Sequence, residues 1–210
     1  MLQENFENYQ YYMYLAHQCL NKINYDGTIY RTTTFWKDII QFQNDFKYLE
    51  VGVFQGANLL SMLLEYPNCV EAHGIDPWCD HNDYTEYLGK QNQNEQVFYR
   101  NFNKLSDTDK QKVCIHKDFS NNVIPKFDDE YFDLIYIDGN HEPWAVLEDG
   151  ILSFRKLKVG GIMVFDDLNW INPNGDNTNV ALEAFLKCYK NKIEIVKIRN
   201  CQMYIKKIKN

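Results

Sequence analysis

The sequence has no excess of positive charge: 22 Lys and Arg stand against 29 Asp and Glu, a formal charge of −7. A dedicated nucleic-acid or anionic-membrane binder normally carries a basic face. Both classes are disfavoured, and the small basic end at Lys190, Lys192, Lys206 and Lys207 does not reverse the balance. No apolar run approaches the ~20 residues that a membrane-spanning helix needs. The opening Met1-Leu2-Gln3-Glu4-Asn5 lacks the basic and apolar regions of a secretory leader, so a cytoplasmic chain with no membrane partner is expected. The six cysteines, Cys19, Cys69, Cys79, Cys114, Cys188 and Cys201, form no Cys-x-x-Cys pair and no zinc-type Cys/His spacing. They predict reduced, mostly buried thiols. Repeats and long linkers are also missing. What remains is 210 residues, 45% hydrophobic and 24% charged, enough for one globular core without staples.

Hydrophobic periodicity supplies the order of elements. Residues 1 to 34 are polar and Tyr-rich, weakly helical from Phe6 to Leu20. Phe35, Trp36, Ile39, Ile40 and Phe46 suggest a helical stripe. Lys47–Val53 reads as a strand, Ala57–Glu65 as a helix stopped before Pro67, Val70–Ile75 and Val113–His116 as strands, and Tyr131–Ile137 as a fourth, apolar nearly throughout. Pro143 can open a helix with Val146, Leu147, Ile151, Phe154 and Leu157 on its inner face. Gly160-Gly161 ends that connection before a strand at Ile162–Phe165, a helix over Val180–Lys190 and a hairpin of Ile193–Ile198 with Gln202–Ile208. Apolar strands alternating with helices predict a doubly wound α/β fold: a mostly parallel seven-stranded sheet with a C-terminal antiparallel hairpin. Ligands of such sheets lie beyond the carboxyl ends of the strands.

Unusual residues cluster at those ends. In Glu50-x-Gly52-x-x-x-Gly56 a strand turns through glycine straight into a helix, whose free N–H groups and positive dipole end face a ligand. Phe54 stands where the dinucleotide fingerprint would need a second glycine, which disfavours a nicotinamide dehydrogenase. Asp76, 24 residues after Gly52, is placed to accept both hydroxyls of a ribose, and Trp78 could cover a purine face. Asp138, Asp166 and Asp167 end two consecutive strands. Carboxylates that close repel unless a cation lies between them, and hard oxygen ligands without cysteine suit Mg²⁺ or another divalent cation. His141, three residues after Asp138, could act as a general base. His17, His73 and His81 read as structural or solvated, and the basic tail Lys197–Lys207 as the solvated face of an edge strand.

YLEVGVFQGANLL at 48–60, GIDPW at 74–78 and YFDLIYIDGNHEPWAVLEDGILSFRKLKVGGIMVFDDL at 131–168 together resemble the class I S-adenosylmethionine (SAM)-dependent methyltransferases. The nearest branch is the metal-dependent O-methyltransferases of methyltransferase domain family 24, which includes macrocin and sugar O-methyltransferases. The resemblance covers roughly residues 47 to 205. It implies that Glu50, Gly52 and Gly56 line the methionine end of SAM, that Asp76 holds the ribose, and that Trp78, Asp118 and Phe119 lie on the adenine side. Asp138 then serves cofactor, metal and catalysis together, Asp166 and Asp167 complete the metal ligands, and His141 is the base. The acceptor it implies is a small hydroxylated molecule, a sugar diol or a catechol-like phenol.

The departures are specific. Asn140 stands where sugar-modifying relatives often carry a second Asp, Pro143 replaces an aromatic, and residues 79–112 form a polar insertion on the substrate side. Residues 1–34 read as an N-terminal helical segment, a lid or a homodimer contact, attached to a methyltransferase domain over 35–210. Two alternatives follow: a SAM-binding but catalytically silent module, motivated by Asn140, and a class I methyltransferase acting on a protein or other acceptor without metal.

Overall fold

The computed structural model describes residues 2–30, 33–80 and 85–210, with side chains from Tyr9 onward. His81 and part of the insertion therefore lie outside the described residues. Seven strands, β1 (Phe46–Val51), β2 (Cys69–Ile75), β3 (Val113–His116), β4 (Phe132–Ile137), β5 (Leu157–Phe165), β6 (Ile193–Arg199) and β7 (Gln202–Lys207), make one sheet. Their order is β3-β2-β1-β4-β5-β7-β6. The first five strands run parallel, and β7 pairs antiparallel with both β5 and β6. The helices are α1 (Leu2–Asn21), α2 (Ala57–Glu65), α3 (Gln91–Phe102), the short α4 (Asp107–Lys110) and α5 (Ser120–Val123), α6 (Pro143–Lys156) and α7 (Asn179–Tyr189). Among the described residues no helix is long and apolar enough to cross a membrane.

The central strands are apolar on both faces because successive side chains point to opposite sides. Tyr48, Ala72, Leu134, Tyr136, Val164 and Tyr204 face one core, filled by Leu20, Trp36, Leu59, Leu60, Met62 and Phe98. Leu49, Val51, Ile75, Ile135, Ile137, Met163, Phe165 and Ile205 face the other, filled by Val146, Phe154, Leu182 and Phe185. α2 follows Gly56, whose φ of 85° turns the chain out of the strand. α6 opens on Pro143, whose missing N–H costs nothing at a first turn, and closes with Arg155 and Lys156 against its negative dipole end.

Several expectations are corrected. The stripe from Phe35 to Phe46 is not a helix. Only a 3₁₀ turn over Thr33–Trp36 forms, and Phe35, Trp36 and Ile40 drop from an irregular segment into the core. Gly160-Gly161 does not end the connection: β5 runs through it. A side chain at Gly161 would come within 2.9 Å of the Asp133 carbonyl on the neighbouring strand. α3 went unread because its buried face is Asn94, Phe98 and Asn101. Amide hydrogen bonds hold it there: Gln55 Nε2 donates to Asn94 Oδ1 at 2.9 Å, and Asn101 Nδ2 to the Asp26 carbonyl at 2.7 Å. No disulfide joins the six cysteines, but only Cys19 and Cys69 are buried, while Cys114, Cys188 and Cys201 are exposed. In the basic tail β6 is the exposed edge strand. Lys207, however, is buried and donates to the carbonyls of Phe154 (3.0 Å) and Leu157 (2.7 Å) at the end of α6.

Candidate active site

The strand order reverses between β1 and β4, which opens a crevice at their carboxyl ends, the usual ligand position in open α/β sheets. A cavity of about 620 Å³ occupies it, within the range of small-ligand sites. Gly52, Phe54 and Asp76 line it from β1 and β2, Phe119 and Ser120 from the loop after β3, and Asp138, His141 and Asp149 from β4 and α6. Asp166, Asp167 and Trp170 close the β5 side, and Tyr9 of α1 and Tyr30 come from the N-terminal segment.

Gly52 (φ 90°) packs so closely that a Cβ there would lie 2.0 Å from the Asp138 carbonyl oxygen, so only glycine lets these two loops meet. Phe54, Trp78 and Asp167, after β1, β2 and β5, all have positive φ (51°, 44° and 51°). Backbone strain of this kind gathers at functional sites. The Asp76 carboxylate accepts from the amides of Val53 (3.0 Å) and Phe54 (2.7 Å) through Oδ2 and of Trp78 (2.7 Å) through Oδ1. It thereby ties the first turn to the second while lining the cavity. Trp78 does not line it. Its ring is buried against Phe98 and Tyr99, and its Nε1 donates to the Phe54 carbonyl at 2.8 Å. Glu50 is likewise buried, its Oε2 accepting from Tyr48 (2.6 Å) and Asn58 (2.9 Å). Burial pushes it up to about 8, with Asp138 and Asp76 adding to the rise and the two hydrogen bonds opposing it.

The Asp118 carboxylate accepts from Asn122 Nδ2 (2.9 Å) and the Phe119 amide (2.8 Å) at the start of α5. Those bonds hold it below the ordinary aspartate range. Phe119, 49% exposed, presents its ring to the cavity. Asp149, which sequence reasoning passed over, is buried on the inner face of α6. Burial raises it to about 7 against a hydrogen bond from Ser120. The signal was present: a carboxylate three residues after Val146, inside an apolar helical stripe.

At the β4 and β5 ends, Asp138, His141 and Asp167 place one ligand atom each within 4.8 Å of the others. His141 Nε2 is 3.6 Å from Asp138 Oδ1 and 3.2 Å from Asp167 Oδ2. Asp166 lines the same cavity but stands outside this trio: its Oδ2 accepts from Tyr136 and from Gln202 Nε2 (2.8 Å), and its Oδ1 from the Asp167 amide (2.7 Å). The Tyr136 hydroxyl, also unread in the sequence, lies 2.9 Å from Asp138 Oδ2 and so bridges the two acids. Burial, with the negative charges of Asp166 and Asp167 beside it, raises Asp138 to about 7 against the opposing effect of His141. That is the signature of a site short of positive charge.

A parallel sheet in this order, closed by an antiparallel β7 and with its site at the β1/β4 crevice, defines a class I methyltransferase fold. The model of a family described as "Methyltransferase domain" matches residues 49–168, more than half of the chain. The chain belongs to that family. Uncharacterized protein R132 of Acanthamoeba polyphaga mimivirus is 28% identical over 136 residues, covering 64% of this chain and 54% of that protein. The chain thus spans about half the length of the curated relative it matches. Among solved structures, MycE methyltransferase of the mycinamycin biosynthetic pathway, in complex with Mg and S-adenosylhomocysteine (SAH), superposes with a TM-score of 0.60 at 13% identity, over 91% of this chain and 54% of that one. The SAH-bound methyltransferase PaMTH1 of Podospora anserina gives 0.52 at 18%, over 78% and 72%. A Corynebacterium glutamicum protein gives 0.57 at 14%, over 95% and 90%. At these identities the likeness is one of fold.

Proposed function

We propose that the chain transfers the methyl group of SAM to a hydroxyl of a small acceptor, assisted by a divalent cation. The observation carrying this reading is the meeting, in one cavity, of the Gly52 turn with the Asp138, His141 and Asp167 side chains. The Gly52 turn lines the cavity and, with no Cβ to hold them apart, packs directly against the Asp138 loop. Asp76 at the cavity wall suits the ribose hydroxyls, and Phe119 at its rim suits the adenine face. Asp138 and Asp167 offer hard oxygen atoms, and the like charges gathered there support a cation between them. MycE was solved with Mg, SAH and mycinamycin VI, which supports this reading by analogy of fold.

When bound, the cation would bring an acceptor oxygen close and lower its pKa. The chain's residues do the rest. Asp138 and Asp167 orient the acceptor, with Tyr136 fixing the Asp138 carboxylate. His141 takes the hydroxyl proton at Nε2 as the oxygen–methyl bond forms and the sulfur–methyl bond breaks. The Gly52 turn and Asp76 hold the donor in line, and alignment of this kind is worth ~7–11 kcal/mol. Tyr9 and Tyr30 at the cavity mouth support a covering role for the N-terminal segment. Isothermal titration with SAM, with and without Mg²⁺, tests the reading. SAM should bind in the micromolar range, and absence of binding in both conditions refutes it. Turnover on diols and catechols then separates an O-methyltransferase from a silent SAM-binding module.

A further inference from the structure

A second cluster lies on the two strands at the sheet's first edge, outside the cavity. His73 of β2 pairs in register with Cys114 of β3, and Ile75 with His116, so His73, Cys114 and His116 gather on two adjacent strands. One imidazole nitrogen from each histidine and the Cys114 sulfur all lie within 4.8 Å of one another. The hydrogen bonds around His73 assign its tautomer. Lys47 Nζ sits 2.9 Å from Glu71 Oε2 and Tyr131 donates to Oε1 at 2.6 Å. His73 Nε2 lies 2.6 Å from Glu71 Oε1, a carboxylate oxygen that accepts from it. In the neutral ring this leaves the lone pair on His73 Nδ1, which faces His116 Nε2 at 2.9 Å. Phe127 stands edge-on to both imidazoles (5.0 and 5.5 Å) and walls off the inner side, while Cys114 is exposed and leaves the outer side open.

We infer that His73 Nδ1, His116 Nε2 and the Cys114 thiolate form a site for a borderline-soft divalent cation, with Zn²⁺ its representative, and with solvent in the fourth position. Three features carry this. The donor set is two imidazoles and one thiolate, the chemistry zinc selects over magnesium. The carboxylate behind His73 is the outer partner that metal-bound histidines generally have. The N···N separation of 2.9 Å needs to open by only a few tenths of an ångström to seat an ion at the ~2.0–2.1 Å Zn–N distance. Binding releases the Cys114 thiol proton to solvent, and His116, ligating through Nε2, keeps its single proton at Nδ1. The ion would cross-link β3, the outermost parallel strand, to β2. This chemistry differs from that of the oxygen-rich trio at Asp138, so the two sites divide cations by softness.

The test uses the full chain stripped of metal. Stoichiometric Co²⁺ should produce a thiolate-to-cobalt absorption band in the near ultraviolet, and Zn²⁺ should displace it and raise the thermal midpoint. Cys114→Ser should abolish the band. His116→Gln should weaken Zn²⁺ binding at least 10-fold, and Glu71→Gln, an outer-shell change, by about 10–100-fold. Asp138→Asn should leave the band intact. Absence of the band in the unaltered chain, its persistence in Cys114→Ser, or zinc binding lost only in Asp138→Asn would each overturn the inference.

Discussion

Asp149→Asn should make the ligand-free protein more stable above neutral pH, not less. Asp149 is buried and lifted from its ordinary value of 3.8 to about 7, and one pKa unit is about 1.36 kcal/mol. In the unfolded chain the carboxyl ionises near pH 4, whereas in the native state it keeps its proton to about pH 7. The native state therefore binds more protons between those values, and stability falls as pH rises through that window, by about 4 kcal/mol in all. Below pH 4 both states are protonated and the loss is absent; above pH 7 it is complete. Asparagine keeps the size and can still accept from Ser120, but it never ionises. Urea titrations from pH 4 to pH 8.5, with and without the substitution, read the difference directly. The two stability curves should nearly coincide at pH 4 and separate by ~2–4 kcal/mol at pH 8. Glu50 and Asp138 bend both curves in the same direction, so only the difference reports Asp149. Parallel curves, or a substituted chain that is less stable at pH 8, would refute the argument that burial raises this group.

The other predictions concern the cavity loops and the sheet edge. Gly52→Ala, whose Cβ would meet the Asp138 carbonyl at 2.0 Å, should lower stability by more than about 3 kcal/mol or prevent folding. Gly160→Ala has a similar φ of 89° but open space around it, and should cost only the ~1–2 kcal/mol of left-handed backbone; equal losses in urea melts would dismiss the steric account. His141→Ala should lower kcat about 10²–10⁴-fold with Mg²⁺ affinity unchanged by calorimetry, and a parallel loss of Mg²⁺ binding would reassign His141 from base to ligand. Lys207→Met removes a buried donor from two carbonyls at the α6 terminus and should cost about 1–3 kcal/mol. An unchanged melting midpoint would show that water replaces it.

Most of the sheet could be read in advance because its strands are apolar on both faces and end in glycine or aspartate. Leu134-Ile135-Tyr136-Ile137 and Ile162–Phe165 can hardly be anything but buried strands. One cause of failure is polar burial. α3 is held by Asn94 and Asn101, and amides paired across the interior leave no apolar stripe to detect. Phe35 and Trp36 pack without a helix, which no periodicity can announce. At the site the strand-end acids were legible by position but not by direction. Nothing in Asp166-Asp167 says that the first turns inward to Tyr136 and Gln202 while the second meets His141. Trp78 has a similar history: its position beside Asp76 suggests a ligand contact, yet a positive φ and the neighbouring Phe98 draw the ring into the core.

The contact between Gly52 and the Asp138 carbonyl has a thermodynamic consequence. The amide of Asp138 donates to the Val51 carbonyl at 2.9 Å, and that of Gly52 to the Ile75 carbonyl at 2.9 Å. The turn proposed to lie beneath the donor and the loop proposed to hold the acceptor's ligands thus pack with no slack for a side chain. Neither can be displaced without moving the other. Occupancy at one half of the crevice should therefore alter affinity at the other, and by the same factor in both directions. Cooperativity between donor and cation would come from the absence of an atom, the methyl group that any residue other than glycine would have placed between them.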